Sequence, residues 1–261
     1  MKRTPIKPDF DQIPEVFHSL LSGCPIFDSS CSPDARVWFL DREDGFYLKS
    51  APKGSLKAEA DMTRYFHGKG LGAEVLHYLS ADRDWLLTRK LPGQDCTHGQ
   101  YLENPKRLCD TIAAKLRQLH ETDFTGCPVS DRMDSYFASA QRNFRAGAFD
   151  PSFLPQSLRC GSAREAWQLV CENQHALTDK VLLHGDYCLP NILLDDWKFS
   201  GFIDVGNGGV GDRHIDIFWG IWSLYFNLKS EAYSDRFLDA YGRDAVQPEL
   251  LRVIAAVESF G

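Results

Sequence analysis

The sequence predicts an α+β fold in which a small antiparallel sheet is followed by a larger, mainly helical part. The first observation is a set of short apolar runs separated by polar turns, as in β-hairpins, at residues 36–40, 46–49, 74–80 and 85–88. The second is a stripe of apolar residues at helical spacing, formed by Leu108, Ile112, Leu116 and Leu119. Lys90-Leu91-Pro92-Gly93 lies between the two parts and is typical of a linker. We therefore expect two lobes with a cleft between them, residues 1–91 and 92–261.

The individual elements follow in chain order. Between the two hairpins, Ser55 can cap a helix that continues to about His67, and the glycines after it end that helix. Pro105 can begin the helix that carries the apolar stripe. Further helices are expected near residues 135–146, 163–175, 213–227, 231–241 and 248–259. Short strands are expected at residues 181–183, 192–194 and 199–204.

The composition is that of a globular protein, with 43% hydrophobic and 25% charged residues among 261. Lys and Arg number 29 and Asp and Glu 36, a formal net charge of −7 that excludes nucleic-acid binding through bulk positive charge. The most apolar stretch, residues 215–226, contains Asp216 and is too short to span a bilayer. The first residues lack the apolar run of a signal peptide. We expect a cytoplasmic monomer or weak dimer that binds neither nucleic acid nor membrane, with its eight cysteines reduced.

One stretch carries most of the chemical information. It begins His184-Gly185-Asp186 and reaches Asn191, and it is followed by Asp204-Val205-Gly206 at the end of a predicted strand. Magnesium prefers hard oxygen ligands, which Asn191 and Asp204 can supply, and Asp186 remains to deprotonate an attacking hydroxyl. Protein kinases divide the work among an Asp, an Asn and a second Asp in the same way. The ring of His184 is expected to shape this loop by hydrogen bonding to the backbone.

A second pair of residues fits the same chemistry. Lys49 ends a predicted strand, and Glu59 lies in the helix that follows, ten residues further on. A strand lysine held by a helix glutamate places a cation on the phosphates of a nucleotide. The two halves occur in the order and on the elements that phosphoryl transfer requires.

These motifs resemble those of the aminoglycoside phosphotransferases, above all the 3'-phosphotransferases. The resemblance covers almost the whole chain and is densest at residues 46–49, 59–62, 116–120, 184–191, 200–204 and 209–217. It implies a two-lobed, protein-kinase-like fold and an ATP- and Mg²⁺-dependent transfer of phosphate to a hydroxyl of a small molecule, most directly an aminoglycoside. The choice between ATP and GTP stays open.

The resemblance also assigns nucleotide-binding roles. Lys49 would contact the phosphates, with Glu59 positioning it, and Asp186 would be the catalytic carboxylate. Tyr47 matches an aromatic residue that stacks on adenine, with plain packing as the alternative. Ser32 lies in the loop that covers the phosphates, and Arg89 to Leu91 would supply backbone hydrogen bonds to adenine.

The part that resembles the substrate site departs from the family. Among the expected substrate-binding positions, only Asp150 and Glu258 are acidic; the others are Asn207, Trp222 and Phe226. Asn207 stands where the family has an arginine after Asp-x-Gly. Trp222 and Phe226 replace charged residues and face either the cleft or the core. We expect weaker, salt-sensitive binding of cationic sugars than is usual in the family.

Alternative functions are a kinase for another hydroxylated antibiotic or metabolite, and a nucleotide-binding module without catalysis. No long activation loop ending in Ala-Pro-Glu is present, which disfavours a protein kinase. Residues 206–211 match Gly-x-Gly-x-x-Gly, but a dinucleotide site needs this motif inside a βαβ unit, and only helices are expected after it. A P-loop motif is absent from the sequence.

Overall fold

The computed structural model describes residues 3–31 and 33–261. The chain forms two compact units. The first contains the residues up to Gln94 together with Leu193–Gly206, and the second contains Asp95–Ile192 and Asn207–Gly261. The predicted α+β class is confirmed, because one antiparallel sheet dominates the first unit and helices dominate the second.

The strands in chain order are β1 Thr4–Ile6, β2 Ile26–Asp28, β3 Arg36–Leu40, β4 Phe46–Pro52, β5 Val75–Ser80, β6 Arg83–Arg89, β7 Gln94–Asp95, β8 Val181–Leu183, β9 Ile192–Asp195, β10 Lys198–Phe202 and β11 Gly209–Gly211. The main sheet of the first unit has the order β1-β2-β3-β4-β6-β5, and the pairs along it are antiparallel. The two predicted hairpins, β3-β4 and β5-β6, lie side by side in this sheet and end with β5 at its edge, whereas β1 and β2 were not predicted from the sequence.

The helices are α1 His18–Leu21, α2 Lys57–Gly68, α3 Gly99–Leu102, α4 Pro105–His120, α5 Met133–Arg145, α6 Ala163–Asn173, α7 His214–Leu228, α8 Ser234–Tyr241 and α9 Pro248–Glu258. The predicted stripe of α4 is fully buried. No helix in the described part of the chain is long and apolar enough to cross a membrane.

The two faces of the main sheet differ. One face carries Trp38, Leu40, Leu48 and Trp85, which pack into a buried cluster with the N-terminal helical segment. Side chains alternate along a strand, so Lys49 lies on the opposite face, where its neighbours in register are Val37 on β3 and Leu86 on β6. The packing of the first face thereby fixes where the lysine is presented.

Helix α2 is not capped as the sequence predicted. The Ser55 hydroxyl donates to the carbonyl of Pro52, and the backbone N–H of Leu56 donates to the buried carboxylate of Asp84 at 3.0 Å. The acceptor comes from β6, which is distant in sequence, and this is why local capping rules missed it.

The predicted domain division needs a correction. Leu193–Gly206 belongs to the first unit, not to the second. The hairpin of β9 and β10 packs there, since Phe202 bridges Gly72 and the Leu91 side chain lies so close to Gly201 that a Cβ would stand 2.6 Å from it. Asp204 is therefore part of the unit that carries Lys49.

The glycine-rich segment after Asp204 contains a strand of its own. Gly209–Gly211, inside the motif, forms β11, and helices α7, α8 and α9 follow it, as predicted. This strand pairs antiparallel with β8. A dinucleotide site requires a parallel βαβ unit, and the antiparallel pair excludes that function for this motif.

Candidate active site

The cationic centre of the first unit is Lys49. Its Nζ donates to both oxygens of Glu59, at 2.9 and 2.8 Å, and to Oδ1 of Asp204 at 2.6 Å. Burial would lower the pKa of Lys49, but the two carboxylates outweigh burial and raise it, so the ammonium is kept charged. The structure thus brings Lys49, Glu59 and Asp204 together, although Lys49 and Asp204 are 155 positions apart in the sequence.

Asp204 differs from Glu59 in its exposure. The Glu59 side chain is 14% exposed, whereas that of Asp204 is 52% exposed. Asp204 also has a φ of +57°, in the left-handed region, directly after β10. Glu59 holds the lysine from inside the unit, and Asp204 presents its carboxylate to solvent.

Tyr47 shares the sheet face of Lys49. Its ring lies 5.3 Å from that of Phe39, and its hydroxyl accepts a hydrogen bond from Arg3 at 3.1 Å. The guanidinium of Arg3 lies over the Phe39 ring, 3.5 Å from its centre. The aromatic residue predicted to stack on a base is thus part of a row of rings and remains partly exposed.

The segment predicted to make backbone hydrogen bonds to adenine uses two of its N–H groups within the first unit. Arg89 is the last residue of β6, and its N–H donates to the carbonyl of Glu74. The N–H of Lys90 likewise donates to the carbonyl of Gly45. In the described part of the chain, the N–H of Leu91 has no backbone acceptor, and binding of adenine by residues 89–91 stays a prediction. Ser32 lies outside the described residues.

The catalytic loop of the second unit lies between β8 and β9. The Nδ2 of Asn191 donates to Oδ2 of Asp186 at 2.9 Å and to its carbonyl at 3.0 Å. The amide nitrogen is thereby occupied, and Oδ1 of Asn191 makes no hydrogen bond to any described residue. The backbone N–H of Asp186 donates to Nδ1 of His184 at 3.2 Å, which confirms the predicted loop-shaping role of that histidine.

Gly185 is required by its surroundings. Its φ is +83°, and a Cβ at this position would lie 1.9 Å from the carbonyl oxygen of Asn207. The loop therefore packs backbone against backbone beside Asp186. No other residue type could adopt this conformation at this distance.

The buried carboxylate of Asp216, on α7, anchors the loop that carries Asp186. Oδ2 of Asp216 accepts the N–H of His184 at 2.7 Å, and Oδ1 accepts the N–H of Gly185 at 2.8 Å. His120 contributes a third contact to Asp216, and the Tyr241 hydroxyl lies 2.8 Å from Nδ1 of His120. Burial lowers the pKa of His120, so its ring is neutral and donates to Asp216 through Nε2. The sequence gives no local signal for this positioning role of Asp216, which is visible only in the structure.

Asp186 opens onto a cavity of about 470 Å³ in the second unit. Charged and aromatic residues from α5, α7 and α9 line it. The lining residues include Arg132, Tyr136, Trp219 and Glu258, together with Asn207. The cavity lies directly beside the carboxylate predicted to deprotonate a hydroxyl, and it is therefore the candidate substrate site.

Glu258 is the partly buried acid of this cavity. Its Oε1 accepts hydrogen bonds from the Tyr136 hydroxyl at 2.7 Å and from Nε1 of Trp219 at 3.2 Å. Burial raises the pKa of Glu258 to about 7, with a further contribution from the negative charge of Asp186, although the two donors act in the opposite direction. Its Oε2 accepts no hydrogen bond from a described residue.

Three predicted substrate residues lie elsewhere. Asp150 does not line the cavity: its carboxylate accepts the N–H of Ser152 in a turn, and this contact lowers its pKa. Trp222 donates through Nε1 to the carbonyl of Phe153 and also does not line the cavity. Phe226 is 50% exposed and stacks on Trp222. The resemblance alone suggested these three positions. Trp219, about one turn of α7 before Trp222, is the tryptophan that lines the cavity.

One predicted magnesium ligand lies in each unit, and each offers an oxygen donor of a kind that suits the ion. Asp204 offers an exposed carboxylate, and Asn191 offers an amide oxygen whose nitrogen is held by Asp186. Both are hard ligands of the kind Mg²⁺ takes, with water completing the shell. A second group of donors, Asp179, Asp212 and His214, does not fit, because Nδ1 of His214 bonds Asp212 and its Nε2 accepts the N–H of Gln247.

The fold and these residues define the class of protein, a kinase-type phosphotransferase. Residues 28–253 match the phosphotransferase enzyme family, and the chain belongs to that family. It is an enzyme, a small-molecule kinase.

Individual relatives agree with this assignment. A probable aminoglycoside 3'-phosphotransferase of Lactococcus lactis is 44% identical over 254 residues, which are 97% of each chain. An aminoglycoside-3'-phosphotransferase of type VIII has a similar structure, with a TM-score of 0.76, 25% identity and coverage of 94% of this chain and 97% of that one. An aminoglycoside phosphotransferase of Streptomyces rimosus, solved with ADP and streptomycin, gives a TM-score of 0.69 at 25% identity, covering 86% and 90% of the two chains.

Proposed function

We propose that the protein transfers the γ-phosphoryl group of ATP, with Mg²⁺, to a hydroxyl of an aminoglycoside, in the manner of a 3'-phosphotransferase. The observation that carries the proposal is the contact of Asn191 with Asp186 beside a cavity of about 470 Å³. A carboxylate held in one orientation at the wall of a substrate-sized cavity suits a general base.

The first unit would bind the nucleotide. Lys49 is charged and fixed by Glu59, which suits it for the phosphates of ATP. The N–H of Leu91, which has no backbone acceptor among the described residues, and the partly exposed ring of Tyr47 would bind the base. The relative solved with ADP supports nucleotide use in this family.

Asp204 and Asn191 would hold Mg²⁺, each through one side-chain oxygen. When bound, the ion neutralises charge on the phosphates. Asp204 accepts a hydrogen bond from Lys49, so a ligand role for this carboxylate would leave more of the lysine's charge to the phosphates. The Nδ2 of Asn191 would keep its hydrogen bond to Asp186. One amide group would then offer Oδ1 as a ligand and orient the proposed catalytic carboxylate through Nδ2.

Asp186 would take the proton of the substrate hydroxyl. The oxygen then forms a bond to the γ-phosphorus while the bond from that phosphorus to the β,γ-bridging oxygen breaks, and ADP leaves. Asn191 orients Asp186, and Asp216 fixes the backbone of its loop. Positioning of this kind accounts for most of the catalysis in phosphoryl transfer.

Glu258 would bind an ammonium group of the substrate. It is partly buried, it lines the cavity with Asp186, and its Oε2 accepts no hydrogen bond from a described residue. An ammonium ion stabilises the charged form of this carboxylate, which burial alone disfavours. The name of the Lactococcus lactis relative supports an aminoglycoside as the source of that ammonium.

One observation favours a second candidate, a kinase for another hydroxylated compound. Arg132 lines the same cavity, so the wall that faces the substrate is not uniformly acidic. A neutral polyhydroxylated antibiotic or metabolite would suit such a wall better than a strongly cationic one.

The test is transfer of labelled phosphate from ATP to a panel of aminoglycosides and neutral hydroxylated antibiotics. We expect turnover of aminoglycosides that is lost in Asp186→Asn by about a hundred- to ten-thousand-fold, while ATP binding is retained. Asp196→Asn, in the exposed turn between β9 and β10, is the matched control and should keep full activity. Turnover of neutral compounds alone would select the second candidate. More than about a tenth of wild-type activity in Asp186→Asn would be far above that expected loss and would refute the role of this carboxylate.

A further inference from the structure

The cavity contains an arginine that the proposed mechanism does not use. Arg132 precedes α5 and is partly buried, and its backbone N–H donates to the carbonyl of Val210 on β11. The side chain is held as well, since Nη1 donates to the Ser135 hydroxyl at 2.8 Å and Nη2 to Oδ1 of Asn207 at 3.2 Å. The guanidinium thus has a defined position in the wall of the cavity.

Throughout the described ranges, no carboxylate lies within ion-pair distance of this guanidinium, and Glu258 acts on it only through a longer-range attraction. A guanidinium carries five N–H donors, and the two contacts above occupy two nitrogens. Burial lowers the pKa of Arg132. A partly buried cation with donors to spare is stabilised by oxygen acceptors from a ligand.

The neighbours of Arg132 connect it to the catalytic loop. Asn207, which accepts from the guanidinium, packs its carbonyl against Gly185, the residue before Asp186. Glu258 lines the same cavity with the opposite charge. The cavity therefore has one anionic side chain besides the proposed base and two cationic ones, the partly buried Arg132 and the exposed Arg142.

We propose that Arg132, held by Asn207, is a specificity-determining residue that binds hydroxyl or ether oxygens of the substrate and rejects an ammonium group at that subsite. The inference rests on the proposed function and narrows it: ammonium groups are accepted beside Glu258 and disfavoured beside Arg132. Among aminoglycosides, the protein then prefers those with a hydroxyl where others have an amino group.

The test uses pairs of substrates that differ by a single exchange of hydroxyl for amino group. Paromomycin and neomycin form one pair, and kanamycin A and kanamycin B form another with the exchange at a different position. The measured quantity is the ratio of kcat/KM for the hydroxyl compound to that for the amino compound. We expect the wild type to favour the hydroxyl compound in at least one pair, and Arg132→Gln to lower that ratio about tenfold, through KM.

Two further variants keep the result interpretable. Asn207→Asp places a carboxylate against the guanidinium and should lower the same ratio without removing Arg132. Arg145→Gln removes an equal charge from the exposed end of α5, outside the cavity, and should leave the ratio unchanged. A ratio that moves equally in all three variants would show a long-range effect of charge and overturn the subsite.

Failure of the inference and failure of the proposed function give different results. If the wild type phosphorylates both compounds but Arg132→Gln and Asn207→Asp leave both ratios unchanged, the subsite is refuted and the function stands. The same is true if Arg132→Gln lowers kcat equally for both members of a pair. Calorimetric dissociation constants for the four compounds test the subsite independently of turnover, and absence of both binding and turnover in the wild type would refute both proposals.

Discussion

The carboxylate of Asp216 accepts the backbone N–H of Gly185 at 2.8 Å, one residue before the proposed catalytic base. Its other oxygen accepts the N–H of His184. The loop that carries Asp186 is thus fixed to helix α7 through backbone atoms, and this contact does not depend on which side chains the loop carries. The orientation of the base depends on a residue 30 positions away that touches no reacting group.

We expect Asp216→Asn to lower both stability and activity. In asparagine an NH2 group replaces one of the two acceptor oxygens of aspartate, and this NH2 group would face a backbone N–H. Each buried donor left without an acceptor costs about 1–3 kcal/mol. The free energy of unfolding, from urea titration, should fall by about 2–4 kcal/mol. The activity of the folded fraction should fall as well, mainly in kcat. Asp244→Asn, on an exposed position, is the control and should change stability by less than about 0.5 kcal/mol. Unchanged stability in Asp216→Asn would contradict the anchoring role.

Lys49→Ala should weaken ATP use more than Glu59→Gln does. The first change removes the cation, and the second removes one carboxylate while Asp204 still holds the lysine. We expect losses in kcat/KM for ATP of about a hundredfold and about tenfold, respectively. Steady-state kinetics with varied ATP measures both. Lys57→Ala, an exposed lysine on the same helix as Glu59, should behave as the wild type. Equal losses in the three variants would point to unfolding of α2 instead.

Asn191→Ala and Asp204→Ala should both raise the Mg²⁺ concentration that gives half-maximal rate, by about tenfold or more. Each removes one of the two proposed oxygen ligands. The rate is measured at saturating ATP over a range of Mg²⁺ concentrations. Asp195→Ala removes an exposed carboxylate at the end of β9 and should leave the Mg²⁺ dependence unchanged. If neither ligand variant altered it, the proposed magnesium site would be wrong.

Glu258→Gln should stabilise the protein at alkaline pH. Burial raises the pKa of Glu258 from 4.5 to about 7, so between these values the folded state holds a proton that the unfolded state has lost. Stability contributed by this group is therefore greatest at low pH and falls as the pH rises through about 7. The amide keeps an acceptor for Tyr136 and Trp219 and cannot ionise. We expect thermal unfolding to show a gain on the order of 2–3 kcal/mol above pH 8 and little change below pH 5.

The same substitution should reduce substrate binding. In the wild type, KM for a cationic substrate should rise as the pH falls below about 7, since Glu258 then becomes neutral. In Glu258→Gln, KM should already be high and should lose this pH dependence, whereas kcat changes less. A KM that stays low in Glu258→Gln at pH 8 would exclude Glu258 as the ammonium ligand.

Much of this protein was determined by its sequence. The spacing of Asp186, Asn191 and Asp204 predicted the chemistry, because protein kinases carry a base and two oxygen ligands for magnesium in the same order along the chain. The apolar stripe of α4 and the two central hairpins were also predictable, since periodicity and turn residues act locally. The contact of Lys49 with Glu59 followed from placing one residue on a strand and the other on the next helix.

Other features were decided only by the tertiary structure. Asp84 caps α2 in place of the predicted Ser55, and Asp216 anchors the catalytic loop, because the polar groups they satisfy lie far away in sequence. The residues around the cavity were also set by packing: the sequence suggested Trp222, whereas Trp219 lines the cavity with Arg132. Local propensity determines which elements form, but the side chains that meet across them depend on how the elements pack, and no local rule contains that information.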